Sequence, residues 1–362
     1  MTDVEKKAYE SMEIRTILEQ AVRKDVKDIF VVAGLPITYK IGNVQERLDR
    51  PKMIPSDIRA CVDDIYEISG RSKTNVEKGL DDDFSFALPG TGRFRVNVFR
   101  QRGSLAAVIR VIRFGLPDPA ELSIPESVLS LADTKKGLVL ITGSAGSGKS
   151  TTLACLIDRI NASREAHIIT MEDPIEYIHP HKKSIVTQRE ISIDTPGYMD
   201  SLRSALRESP DVILLGEMRD YDTVSAAITS AETGVLLLST LHTSSAANTI
   251  NRILDVFPAN QQQQVKIQLS QMLKGIVCQQ LIPDVNGTLI PAFEIMKSTT
   301  AIQNMIREDK LHQLESAMQA GAAEGMCTMD GSLLKLYKEG RIAKETALMA
   351  CANYENMVKR LG

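Results

Sequence analysis

GSAGSGKST, residues 143–151, lies between the apolar run GLVLIT (137–142) and the helix-like run TTLACLIDRI (151–160). Gly143-Ser144-Ala145-Gly146-Ser147-Gly148-Lys149-Ser150 fits the pattern GxxxxGK[ST]. Glycines at those positions let the backbone wrap an anion with its N–H groups pointing inward. The helix that follows turns its partial positive end toward the same anion. Lys149 is placed to reach the β- and γ-phosphates of a nucleotide. Ser150 offers a hydroxyl to Mg²⁺, and Thr151 closes the loop. The strand before and the helix after are the context the motif requires, and they set the fold class as α/β with a P-loop core.

Outward from the loop, three more apolar runs occur: HIITME (167–172), DVILLG (211–216) and VLLLST (235–240). Runs apolar at nearly every position are buried on both faces, and alternation with helices implies a parallel sheet. In such sheets ligands bind beyond the strands' C-terminal ends. Each run ends in polar groups. Glu217 follows one and is placed to hold Mg²⁺ through water. Glu172, Asp173 and Glu176 follow another, and one of them can polarise water for attack on a γ-phosphate. His242 follows the third and can orient or sense the γ-phosphate side.

The remainder of the chain sets the frame. With 362 residues, two domains are expected. Residues 1–113 read as a small α+β domain. Met12, Ile14, Ile17, Leu18, Ala21 and Val22 share a helical face, and the stretch 55–69 is helical with Ser56 as its cap. Three strand-like runs follow, in which Phe84/Phe86 and Phe94/Val96/Val98 alternate with polar residues. FGLPDPAELSIPE (114–126) holds three prolines and reads as a linker. A P-loop domain is expected over 127–297, and a helical region over 298–362. Beyond residue 260 the one strand expected is TLIPAFEIM (288–296).

Composition narrows the function. Net charge is −3, Trp is absent and aromatics are 4%, so neither a basic field nor a stacking surface for nucleic acid is expected. No apolar run approaches the roughly 18 residues of a membrane span. Five scattered cysteines, odd in number and without a CxxC, point to a reducing cytoplasm and to buried thiols.

The phosphate loop, the acidic box ITMEDPIEY, LLGEMRD and STLHTSSAANTINRILDVFP occur in this order and spacing. Together they resemble the secretion ATPases of the type II/IV superfamily, which power pilus and secretion machines, and specifically the branch that retracts type IV pili. FVVAGLP, DDFSFALPGTGRFRVNVFRQR, VTQREISIDT and AIQNMIRED extend the resemblance nearly end to end. It implies a PAS-like N-terminal domain, a RecA-like ATPase domain and a homohexameric ring. Such a ring would be cytoplasmic, seated at the inner face of the membrane on a platform protein of the pilus. It implies ATP and Mg²⁺ as cofactors, Glu176 as catalytic base, Glu217 at the Walker B position and His242 in the His box. Arg95 and Arg110, which match motifs of the N-terminal domain, would complete the ATP site by neutralising γ-phosphate charge. Their strand-face spacing also suits a solvated surface.

Three features depart from the family pattern. Ser144-Ala145 stand where Pro-Thr is common, at positions that contribute backbone. The four-cysteine metal motif of extension and type II secretion relatives is missing after the His box, which favours the retraction branch. AIQNMIRE (301–308) replaces the usual AIRNLIRE, with Gln303 for arginine and Met305 for leucine. An accessory ring ATPase that depends on a second retraction ATPase for force is the alternative expectation. A small-molecule kinase would need a lid and an acceptor site, for which the chain shows no segment.

Overall fold

The computed structural model describes residues 14–42, 44–112 and 115–362. Met12 of the first helical face, and Arg113 and Phe114 where the expected domain and linker meet, lie outside the described residues. The chain forms two compact units that divide between Gly115 and Leu116.

The first unit is built on six strands: β1 (Asp28–Val31), β2 (Thr38–Ile41), β3 (Val44–Arg47), β4 (Asp82–Leu88), β5 (Gly92–Gln101) and β6 (Ser104–Ile112). They form one antiparallel sheet in the order β3-β2-β1-β6-β5-β4. β5 buries every second side chain along most of its length, so Phe94, Val96 and Val98 face the core while Arg93 and Arg95 turn away. Helices at 14–23 and Pro55–Ser69 pack on the apolar face through Leu18, Ile58 and Ile65. The Tyr39 hydroxyl donates to the Ile17 carbonyl at 2.7 Å and ties the sheet to the first helix. This is the expected PAS-like α+β arrangement. The cap expected at Ser56 sits elsewhere: Ile54 is the N-cap, Pro55 and Ser56 are already in the first turn, and the Asp57 carboxylate accepts from the Ile54 amide. Proline fits the first helical position because its missing N–H would have had no partner there.

The second unit carries β7 (Gly137–Thr142), β8 (His167–Glu172), β9 (Ile185–Glu190), β10 (Val212–Leu215), β11 (Leu236–Leu241), β12 (Leu273–Pro283) and β13 (Leu289–Lys297). The sheet order is β13-β12-β7-β11-β10-β8-β9, parallel except for β13. Every residue of β7, β10 and β11 is buried. The reason is visible in the two cores: Leu138, Leu140, Ile213 and Leu237 pack on one face, and Val139, Ile141, Val212 and Leu236 on the other. Continuous apolar strands are what a sheet covered on both sides requires.

Sequence reading missed β12. LKGIVCQQLIP carries Lys274, Gly275, Gln279 and Gln280, which interrupt the apolar pattern. The strand forms because β7 on one side and β13 on the other satisfy its backbone. Residues 116–126 belong to the second unit. Ile124 is buried in its core, and the Pro117 carbonyl accepts from the Cys155 thiol at 3.6 Å. The C-terminal region is helical, from Thr300–Arg307 to Tyr354–Leu361. In the AIQNMIRE segment Ile302 and Ile306 are fully buried while Gln303 keeps partial exposure. On β13 the buried Glu294 carboxylate accepts from the Ala246 and Met329 amides, at 2.7 and 3.4 Å, joining two helix N-termini to the sheet.

Candidate functional site

Parallel register brings chain-distant residues to one edge. Thr142 pairs with Leu241 and with Cys278, Leu215 with both Met171 and Ser239, and Glu172 with Glu190. The residues just beyond these positions are Gly143, His242, Gln279 and the Gly216-Glu217 step, with the acidic box beside them. A cleft of about 230 Å³ opens at this edge, lined by Lys149, Ser150, Glu172, Asp173, Glu176, Tyr177, Glu217, Arg219 and His242 among others.

The loop 143–148 leads from β7 into the helix Lys149–Ser163. Gly148 takes the left-handed conformation at φ +89° as the N-cap of that helix. A Cβ on Gly143 would lie 2.3 Å from the Gln279 carbonyl oxygen, and one on Gly148 would lie 2.8 Å from the Gln279 amide nitrogen. Both glycines are therefore required by backbone angle and by Gln279 beneath them. Gln279 is buried, and its Oε1 accepts from the Thr152 hydroxyl at 2.7 Å, so β12 braces the loop and the first turn of its helix. The Ser147 hydroxyl is buried without a partner among the described residues, which suits a loop folded around a polar guest. Lys149 Nζ donates to the carbonyls of Gly143 and Ser144, at 2.9 and 2.8 Å, spanning the loop. Desolvation lowers its pKa, and the Glu176 carboxylate opposes that shift.

Glu217 is held from behind. Ser239 and Thr240 donate their hydroxyls to the Leu215 and Gly216 carbonyls, each at 2.7 Å. Gly216 packs so closely on Tyr198 that an added Cβ would lie 2.7 Å from the tyrosine hydroxyl. Glu217 Oε2 lies 3.2 Å from His242 Nε2, and Oε1 is ion-paired with Arg219. Burial and then the nearby Lys149 and Arg219 charges lower the His242 pKa, which favours the neutral imidazole.

In the acidic box, Glu172 accepts from the Thr170 hydroxyl at 2.6 Å and from the Gln188 amide at 3.2 Å. Desolvation nevertheless raises its pKa to about 7. Glu176 is exposed and lines the cleft. The structure thus brings Ala145, Gly146, Lys149 and Ser150 of the loop around one cleft with Glu176, Glu217 and His242. Arg95 and Arg110 lie in the first unit on β5 and β6, opposite each other in register. Arg95 pairs with Asp83 at 2.6 Å, and Arg110 with Asp28 at 2.8 Å. Sequence reading missed Gln279, Gln188, Arg219 and Tyr177, whose hydroxyl lies 2.9 Å from that of Thr151. The resemblance of VTQREISIDT, LLGEMRD and ITMEDPIEY singled out the segments holding Gln188, Arg219 and Tyr177 without naming those residues; Gln279 carries no local motif of its own.

Among the described residues, no helix is long and apolar enough to cross a membrane, and no group of three or more His, Cys, Asp or Glu side chains is arranged to hold a metal ion by itself. The family described as type II/IV secretion system protein matches residues 5–323. The chain is 44% identical over 336 residues to the type IV pilus retractation ATPase PilT of Pseudomonas aeruginosa, covering 93% of this chain and 97% of that protein. It is 38% identical over 338 residues to the type IV pilus ATPase PilU of the same organism, covering 93% and 88%. A crystal structure of the pilus retraction motor PilT with bound ADP is similar at a TM-score of 0.88 and 46% identity, covering 95% of this chain and 98% of that one.

Proposed function

This chain belongs to the type II/IV secretion system protein family, and on that premise we propose that it is an ATP-hydrolysing motor that drives type IV pilus retraction. The observation that carries the reading is the single sheet edge shared by the phosphate loop, Glu217 with His242, and Glu176.

Mg²⁺-bound ATP supplies the phosphoanhydride whose terminal phosphate passes to water. The loop amides of 143–150 and the N-terminus of the helix Lys149–Ser163 hold the phosphates. Lys149 exchanges its two loop carbonyls for phosphate oxygens, a small rearrangement because its ammonium already spans the loop. Ser150 would hold the metal and Glu217 would support it through water, and the bound Mg²⁺ would neutralise phosphate charge. His242, beside Glu217, orients that carboxylate. Glu176 takes the proton from the attacking water. Arg95 and Arg110 contribute charge neutralisation, each exchanging its present carboxylate partner.

Six chains form the working ring, which sits peripherally on an inner-membrane platform protein of the pilus machine. Purified protein releases phosphate from ATP without an added acceptor and reaches the mass of six chains in solution. Glu176→Gln lowers turnover by about 10²–10⁴-fold while nucleotide binding survives. Full turnover by that variant refutes the assignment of the base. The 38% identity to PilU supports a second reading, an accessory ring that depends on a partner ATPase. Retraction in cells carrying this chain as their one retraction ATPase excludes it.

A further inference from the structure

The segment 173–184, between β8 and β9, contains no helix and no strand. Its backbone must be placed by something other than a ladder or a helical repeat. Two side chains of β9 supply that placement on either side of Glu176.

Gln188 uses its whole amide. Nε2 donates to Glu172 Oε1 at 3.2 Å and to the Tyr177 carbonyl at 2.9 Å, while Oε1 accepts from the His179 amide at 2.8 Å. A primary amide has two N–H donors and one carbonyl, so each is engaged inside the acidic box. Two residues on, and on the same side of the strand, Glu190 is 3% exposed, and its Oε2 accepts from the Ile175 amide at 3.0 Å. The Glu190 amide is itself donated to Asp194 at 2.8 Å. Register places Gln188 opposite Thr170 and Glu190 opposite Glu172, at the end of β8 where the segment begins.

The backbone is thus pinned at Ile175 and at Tyr177, the two neighbours of Glu176, and again at His179. The Glu176 side chain is left exposed toward the cleft. We propose that Gln188 and Glu190 are positioning residues for the acidic box, setting where the Glu176 carboxylate meets the attacking water without touching that water themselves. The inference rests on the assignment of Glu176 as the base. Its physical weight comes from geometry: a reacting group displaced by about 1 Å can lose about 10²-fold in rate.

The test uses full-length Gln188→Met, similar in length but without the amide, together with Glu190→Ala and Glu190→Gln. Gln188→Met and Glu190→Ala should each lower kcat about tenfold or more, with KM for ATP and ADP affinity within about twofold of wild type. Glu190→Gln keeps an acceptor oxygen for the Ile175 amide and should recover most of the loss. A kcat within twofold of wild type for both disruptive variants overturns the proposal. So does a parallel fall in kcat and ADP affinity, which marks general damage to the cleft. If Gln188→Met fails to fold, the contrast between Glu190→Ala and Glu190→Gln decides. Glu176→Gln, run in the same assay, separates the two readings. If it retains turnover, the base assignment fails and the positioning role goes with it. If it is inactive while the β9 variants turn over normally, only the positioning role fails.

Discussion

The two sheets of this protein handle charge in opposite ways. In the antiparallel sheet of the first unit, ionic partners sit on neighbouring strands or in the segment that follows the helix Pro55–Ser69. Arg95 on β5 pairs with Asp83 on β4, Arg110 on β6 with Asp28 on β1, and Arg71 with Asp82 at the start of β4. In the parallel sheet of the second unit the central strands β7, β10 and β11 are almost wholly apolar, and polar groups collect past their C-terminal ends. Antiparallel pairing spreads strand ends over both edges. Parallel pairing aligns them, so residues from β7, β8, β10 and β11 meet without any polar group crossing the core. The first arrangement keeps charge in local pairs, and the second concentrates it at one edge.

The sharpest way to break this contrast is at the loop. Lys149→Ala should lower phosphate release by about 10²–10³-fold, since one charged donor to the phosphates is removed. Turnover within tenfold of wild type would mean that the parallel edge is not the reaction site.

The first unit should answer a charge deletion in stability instead. Asp82 is 2% exposed. Burial raises its pKa, but hydrogen bonds from Arg71, Tyr66 and Asn75 outweigh that and hold it below the ordinary carboxylate value. Asp82→Asn should cost about 2–3 kcal/mol in denaturant melts at neutral pH, less than a fully enclosed pair because the Arg71 side chain is 31% exposed. A carboxylate with a depressed folded pKa stabilises above its unfolded pKa, near 3.9, and loses that contribution as pH falls through the folded value. The gap between wild type and variant should therefore close below about pH 4, and a gap independent of pH would show that the charge is not its source.

A smaller effect is expected beneath the loop. Gln279→Leu leaves the buried Thr152 hydroxyl without its acceptor and should cost about 1–3 kcal/mol in the second unit, a few degrees in Tm. Nucleotide affinity should fall with it, because the same side chain lies against Gly148. Weakened affinity with unchanged Tm would assign Gln279 to the ligand alone, and no change in either would remove it from the site.

Much of the fold and half of the site were legible because their signals are local. The strand β7, the loop after it and its helix are contiguous, and glycine spacing reports backbone conformation directly. The apolar runs at β8, β10 and β11 announced burial on both faces, and the polar residues closing them followed from the same pattern. Alternation exposed the first unit's strands. Ser56 was misplaced as a cap because the N-cap is Ile54, two residues earlier, with Pro55 taking the first helical position that proline suits.

What the sequence by itself determined was the class of each element and the chemistry offered at each strand end, since both depend on neighbours a few residues apart. Tertiary structure alone decided which side chains stand behind those groups. Thr152 and Gln279 are 127 positions apart, and Gln279 sits in a strand whose polar residues hide its period. Gln188 and Glu190 look like ordinary strand residues until parallel pairing lays β9 beside the acidic box. A hydrogen bond across the core leaves no periodicity in the chain, so only the packed sheet reveals what aims the carboxylate and what braces the loop.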